Sequence, residues 1–192
     1  MAQSDHLARV DAALTEHFGQ VPSRASVSYV GVDPIEVLRF EPIPGERLYV
    51  SLGMGRHPMT SATEAVMSTT GPRAELMIHL SDPTDRFADV WRRLALLAAS
   101  PAVEGVVYAD GMTVDLGEPL VSGSNCTGAV VSASPIAAIA TDVGDIEILQ
   151  LTPATQNELA WSRIHGTAEL RQRWTDEQTD LLDLSRRTVE LT

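Results

Sequence analysis

The chain has 192 residues, enough for one domain, and carries 26 acidic against 14 basic side chains for a net charge of −12. Nucleic acid and anionic membrane surfaces would be repelled, because affinity for either rests on basic side chains neutralising phosphates. Every basic side chain is Arg, so a P-loop lysine, a Schiff-base lysine and a Ser–Lys dyad are all excluded.

Residues 4–18 read as a helix capped by Ser4. Leu7, Val10, Leu14 and Phe18 give it one apolar stripe, Gly19 a left-handed stop, and Pro22 blocks continuation. The same segment carries Asp5, His6, Arg9, Asp11 and Glu16 and lacks the apolar run of a signal peptide. Residues 26–32, 35–42 and 47–52 read as strands, separated by Asp33-Pro34 and Pro44-Gly45. In the second, Ile35, Val37 and Arg39 face opposite to Glu36, Leu38 and Phe40, which predicts partial burial of both faces.

Residues 53–72 form a long connection with Gly, Ser and Thr throughout, and connections of that length are usually functional or disordered. Ser61 and Glu64 are spaced as a capping box, predicting a helical turn through Met67. Met54, Met59 and Met67 would either give this loop an adaptable apolar surface for a partner or plug it onto the core. Together with Arg56 and His57 they are the candidate partner-binding residues.

Residues 74–80 read as a strand with Leu76, Ile78 and Leu80 on one face and Glu75, Met77 and His79 on the other. Asp82 as N-cap, Pro83 at the first position and Asp85 in the first turn open a helix of roughly 25 Å. Phe87, Val90, Trp91, Leu94 and Leu97 form its stripe, and Ser100-Pro101 is its expected end. Further on, 106–108, 111–116, 128–131 and 146–151 are expected strands, the last preceded by a turn at 142–145. In that last strand Ile146 and Ile148 oppose Leu149 and Leu151, which predicts a central position with cover on both sides. The most apolar stretch, 129–140, is interrupted by Ser132, Ser134 and Pro135 and falls short of the ~20 apolar residues of a membrane helix. Thr155 and Glu158 form a second capping box, opening a helix with Leu159, Trp161 and Ile164 that Gly166 ends. A short helical piece reaches Trp174. Thr175 and Gln178 then open a last helix, 175–191, with Leu181, Leu184 and Leu191 in register and Arg186-Arg187 near its C-terminus. The order of elements does not alternate as a doubly wound parallel fold would, and it points to α+β.

A catalytic constellation does not emerge. Cys126, the one cysteine, cannot form an internal bridge, which suits a reducing, cytoplasmic compartment. Nothing adjacent in sequence would activate it, so it reads as a small buried hydrophobe. His6, His17, His57, His79 and His165 lack metal-ligand spacing, and His79 on its strand reads as structural. Glu75, Asp142, Asp145 and Glu147 could converge as general acid and base, but their spacing does not require it, and 142–145 lacks the pattern of a calcium loop. Gly53-Met54-Gly55 lacks the third glycine of a dinucleotide fingerprint, and no serine sits in Gly-x-Ser-x-Gly. No catalytic residue, cofactor or metal is expected. The acidic surface would steer in a basic protein, or it maintains solubility.

Five pieces, taken in order, resemble the Suppressor of fused domain: Leu48-Tyr49-Val50-Ser51-Leu52-Gly53-Met54; Glu75-Leu76-Met77-Ile78-His79-Leu80; the Trp91 helix; Gly111-Met112-Thr113-Val114 leading to Pro119-Leu120; and Gly144-Asp145-Ile146-Glu147-Ile148-Leu149-Gln150-Leu151 before Glu158-Leu159. The resemblance covers about residues 26–174 of a single domain spanning 1–192. It implies a central, largely antiparallel mixed sheet packed by helices. In animals the family restrains transcription factors by gripping a peptide in a cleft between two lobes, and bacterial members are regarded as immunity proteins that neutralise partner toxins. The family has no established catalytic residues, and this chain resembles the N-terminal lobe alone. The leading expectation is therefore a non-enzymatic, protein-binding domain, an immunity protein against a basic toxin. A regulatory or scaffolding module acting on an endogenous protein and an enzyme of unknown type are the alternatives.

Overall fold

The strand with apolar side chains on both faces lies in the middle of the sheet, where both faces are covered. In the computed structural model, which describes residues 5–21, 23–63 and 69–191, this strand is β8 (Gly144–Thr155). Ile146 and Ile148 pack into the core on one side of the sheet, Leu149 and Leu151 into the core on the other. The remaining strands are β1 (Ser23–Val27), β2 (Ile35–Phe40), β3 (Glu46–Leu52), β4 (Arg73–Ser81), β5 (Thr113–Asp115), β6 (Cys126–Ala133) and β7 (Ile139–Thr141). They build an 8-stranded sheet in the order β1-β2-β3-β4-β8-β6-β5, with β7 paired to the start of β8. The β4–β8 pair is parallel and the other pairs are antiparallel. The expected α+β class with a largely antiparallel mixed sheet is the one the chain adopts.

Helices cover both faces. Helix α2 (Val90–Glu104) packs Val90, Leu94, Leu97 and Ala98 against Val37, Leu76, Ile78, Leu149 and Leu151. On the opposite face α1 (Asp5–Phe18) brings Val10 and Leu14 to Leu38, Phe40, Leu48, Val50, Ile146 and Ile148. Beside it, α3 (Gln156–His165) and α4 (Thr167–Asp176) place Leu159, Leu170 and Trp174 over Val130 and Ala154. Gly19 stops α1 at φ 88°, its N–H returning to the Thr15 carbonyl at 2.9 Å; the expected cap Ser4 and the residue Pro22 lie outside the described residues. Thr155 and Glu158 make the full capping box of α3.

Four expectations need correction. The strand expected at 26–32 lies at Ser23–Val27, because the Val32 N–H returns to the Tyr29 carbonyl and closes a turn there. Residues 106–108 are not a strand. Helix α2 begins at Val90, well after Asp82. Asp82 does act as a cap, accepting the N–H groups of Arg86 at 2.7 Å and Phe87 at 2.8 Å. Asp85, however, sits at φ 53° and turns its carboxylate to Arg39 and Arg47, so the helix cannot propagate through it. At the other end the helix passes through Pro101 and reaches Glu104 before Gly105, at φ 67°, ends it. Pro101 has no N–H for the Leu97 carbonyl. The buried Tyr108 hydroxyl donates to that carbonyl instead, at 2.8 Å.

The fourth correction is the C-terminal helix at 175–191, which the structure replaces with a strap. Gln178 takes φ 49°, and the carboxylates of Asp180 and Asp183 accept the N–H groups of Leu182 and Ser185 in local turns that compete with a helix. The carbonyls of Leu182 and Leu184 instead accept from the backbone N–H groups of Ser81 and Asn125. Arg186 then enters the interior, donating to both Glu158 oxygens at 2.6 and 2.8 Å and to the Pro153 carbonyl at 2.9 Å. Burial opposes the charge on Glu158, but hydrogen bonds from Arg186 and the Val189 and Thr155 N–H groups outweigh it and hold the carboxyl below its ordinary range. The leucines that read as one helical stripe separate: Leu184 joins the core under α2, and Leu181 and Leu191 pack against that of α3 and α4.

Two stability measurements follow from these contacts. Tyr108→Phe, which orphans a buried carbonyl, should cost about 1–2 kcal/mol in urea unfolding. Pro101→Ala in that background should recover most of the loss by restoring an N–H at the position; no recovery would show that the hydroxyl does not substitute for the amide. Arg186→Ala leaves Glu158 charged, buried and unpaired, and should cost about 3–5 kcal/mol. A loss below about 1 kcal/mol would mean that the strap is not fastened by this pair.

Candidate functional site

The loop after β3 owes its shape to two residues of β4. Glu75 has no solvent exposure. One of its oxygens accepts the N–H groups of Gly53 at 2.7 Å and Gly55 at 3.0 Å; the other accepts the Ser51 hydroxyl at 2.5 Å and the Met54 N–H at 3.3 Å. These donors converge because the chain folds into a 3-10 turn at Met54–Arg56. Gly53 makes the turn possible: it sits at φ 129°, and a Cβ there would lie 3.0 Å from the Pro34 carbonyl. Arg73, two residues before Glu75, donates to the carbonyls of Gly55 and Arg56. Strand β4 thus holds the turn by its donors and by its acceptors.

From this turn the chain runs back along α2. The Met59 N–H bonds the Pro72 carbonyl at 2.8 Å, and the Ala62 N–H meets the Gly105 carbonyl at 3.3 Å. Gly105 must be glycine for so close an approach, since a Cβ would come within 2.4 Å of the Ala62 nitrogen. Between the loop, α2 and the β1–β2 connection lies a cleft of about 610 Å³. Val32, Ile35, Met54, Pro58, Ala98 and Ala102 supply its apolar lining. At its mouth His57 Nε2 and Asp33 Oδ2 pair at 3.1 Å, both half-exposed, and the Arg56 guanidinium donates to the Pro34 carbonyl at 2.6 Å. A second cleft, about 540 Å³, opens on the other side of the same connection, lined by Tyr29, Leu96, Pro119, Leu120 and Val121 among others.

Of the five candidate residues, Met54 and His57 line the first cleft and Arg56 braces its edge. Met54 and Met59 are only 6% and 4% exposed and belong to the core under α2, so these two plug the loop down. Met67 and the Glu64 end of the expected capping box lie outside the described residues. The β1–β2 connection, which forms the wall between the clefts, read in sequence as a strand; its signal was Gly31 (φ 80°) between Val30 and Val32, ahead of Asp33-Pro34.

The other polar candidates stand apart. Glu147 is exposed and pairs across the sheet with Ala74, so it faces away from its neighbour's enclosed carboxylate at Glu75. His79 pairs with Glu46 at 2.8 Å. Cys126 is fully buried, and burial pushes its thiol up to about 11. Among the described residues there is no group of three or more His, Cys, Asp and Glu placed to hold a metal ion, and no helix is long and apolar enough to cross a membrane.

Burial raises the Glu75 carboxyl above the ordinary value of 4.5, outweighing the hydrogen bonds from Ser51 and the three amides. The folded state therefore keeps a proton that the unfolded chain releases, and stability from this group falls as pH rises from about 4.5 toward the folded value. Glu75→Gln abolishes that titration. Urea unfolding between about pH 4.5 and 7 should show the unmodified protein losing stability relative to the variant, apart from a constant offset for the altered acceptor. Parallel curves would rule out the raised value.

The comparisons with known proteins agree on the family. A family model described as Suppressor of fused protein (SUFU) matches residues 31–187. A Neisseria gonorrhoeae protein described as a Suppressor of fused homolog superposes with a TM-score of 0.70 at 21% identity, over 96% of this chain and 97% of that one. The structure of the Sufu–Fu complex gives 0.65 at 14% identity, over 97% and 90%. Drosophila Suppressor of Fused gives 0.67 at 15% identity over 95% of this chain and 50% of the fly chain, so the protein spans half of that relative. No curated protein matches the chain. With the model matching most of its length and the fold shared throughout, the chain belongs to the Suppressor of fused family.

Proposed function

We propose that this protein works by binding another protein, and more specifically that it is a cytoplasmic immunity protein neutralising a basic toxin. The observation that carries the binding reading is the first cleft, where apolar side chains sit beside the hydroxyls of Thr60 and Ser61 and beside a turn that β4 holds by hydrogen bonds. Its ionisable groups, His57 and Asp33, pair with each other at the mouth, where they can orient a partner but do not flank a buried reaction centre. A relative held in the Sufu–Fu complex adds support, since that family member forms a complex with another protein. The basic character of the partner follows from charge. Arg24, Arg39, Arg47, Arg92, Arg93, Arg163, Arg171 and Arg186 are all engaged by carboxylates of the same chain, leaving an excess of acid to act outward.

The test is co-expression with the product of the neighbouring gene. The expected result is a complex that co-purifies, protects cells from that product, and weakens by about tenfold or more as salt is raised across the physiological range. A complex with an endogenous protein and no toxic neighbour would replace the immunity reading with a regulatory one. Absence of any protein complex would overturn the binding reading itself.

A further inference from the structure

We infer that the two clefts flanking residues 29–33 form one docking surface, and that its occupant is a segment of a basic protein carrying apolar anchor side chains; this rests on the protein-binding reading and names its face. The connection between β1 and β2 borders both clefts together with α2. Tyr29 and Leu96 line one, and Val32, Ala98 and Ala102 line the other. Val30, at the crest between them, is fully exposed. Val103, next to Ala102, is 60% exposed and Leu96 is 38% exposed. Among the described residues only five large hydrophobics stand this far out of the surface, and three of them line a cleft or adjoin a lining residue: Leu96 lines the second cleft, Val30 sits between Tyr29 and Gly31, and Val103 follows Ala102; Ile43 and Ile164 are in neither lining. Apolar groups concentrated beside preformed clefts mark a contact surface, whereas scattered ones need no explanation.

Charge selects the occupant. Around the ridge Arg92 and Arg93 are offset one to one by Asp89 and Glu118, and Arg56, which donates to the Pro34 carbonyl, is among the described residues the one further cation set against Asp33 and Glu104. Glu104, at the end of α2 beside Val103, makes no ion pair among the described residues. A second copy of this chain would bring another net charge of −12 to the contact, so a self-association is disfavoured. A partner whose apolar side chains are flanked by Arg or Lys would fill the clefts and meet the acidic excess.

A short leucine–arginine peptide and its leucine–glutamate counterpart serve as probes, followed by amide chemical shifts and by affinity. The leucine–arginine peptide should shift amides of residues 29–33, 53–62 and α2. Its affinity should fall about tenfold or more for Val30→Arg and for Ala102→Arg, both solvent-facing positions, with unchanged melting temperatures. Ile164→Arg, which adds the same charge at an exposed apolar position elsewhere, should stay within about twofold, and the leucine–glutamate peptide should not bind. Equal loss in all three variants, equal binding of both peptides, shifts on another face, or no binding at all would overturn the surface. A natural partner that binds Val30→Arg and Ala102→Arg as well as the unmodified chain would also overturn it, while leaving the protein-binding reading intact.

Discussion

Glu75 keeps a carboxyl group entirely out of water with no arginine or histidine paired to it, and the end of the sheet that carries the clefts is arranged around that fact. A buried acid of this kind is costly unless its lone pairs are filled. Four donors fill them, and three are consecutive backbone amides that can reach one side chain only if the chain turns tightly straight after β3. The turn in turn demands a glycine at position 53, and its outward carbonyls would be left to solvent if Arg73 did not take two of them. One acid on a central strand therefore dictates the backbone path of a loop that has no strand partner of its own.

Glu158 meets the same problem in the opposite way. It too is fully buried and gathers backbone amides, but Arg186 supplies a bidentate countercharge from the far end of the chain. The two carboxyls accordingly move in opposite directions, Glu75 above its ordinary value and Glu158 below. The first fastens the loop that leaves a neighbouring strand; the second fastens the end of the chain, so that through Arg186 the strap is held at α3 and lies against Ser81 and Asn125. Arginine suits this use because its planar fork binds both oxygens at once. A chain whose cations are all arginines can commit them to internal pairs, as it does with Asp85, Asp110 and Asp115, and so present an acidic exterior.

Local signals were legible where the deciding interactions are local. The alternation in 146–151 located the central strand, and the Thr155–Glu158 box located α3, because burial on two faces and a three-residue reciprocal cap are written in neighbouring positions. The strap reads as a helix in the sequence because Leu181, Leu184 and Leu191 keep helical spacing. What defeats the helix is the pull of Ser81, Asn125 and Glu158, all distant in sequence. Asp82 was identified as a cap, yet the helix it would open is diverted by Asp85, whose partners Arg39 and Arg47 sit on two other strands. The organising acid reads in sequence as a possible acid–base group, and its signal is a lone carboxyl inside the apolar run from Ala74 to Ile78, preceded by a glycine-flanked methionine at 53–55. Together these are the acceptor and the amides of one buried site.

The same logic links the interior to the proposed docking face. Arg56 and His57 follow the turn that Glu75 holds, and they reach across to Pro34 and Asp33, the last residues of the ridge that carries Val30. The end of the ridge is thus tied to a turn that a central strand holds. A surface that is already ordered loses little conformational entropy when it is covered, so a larger share of the apolar burial remains as affinity. Such bracing also separates two jobs that one loop would otherwise combine. Met54 and Met59 hold the 53–63 segment down, while the exposed side chains at Val30, Leu96 and Val103 remain free to differ with the partner. On this view the polar group at Glu75 serves to fix the turn beside the proposed face, since an apolar residue there could fill the space but could not fix three amides in place.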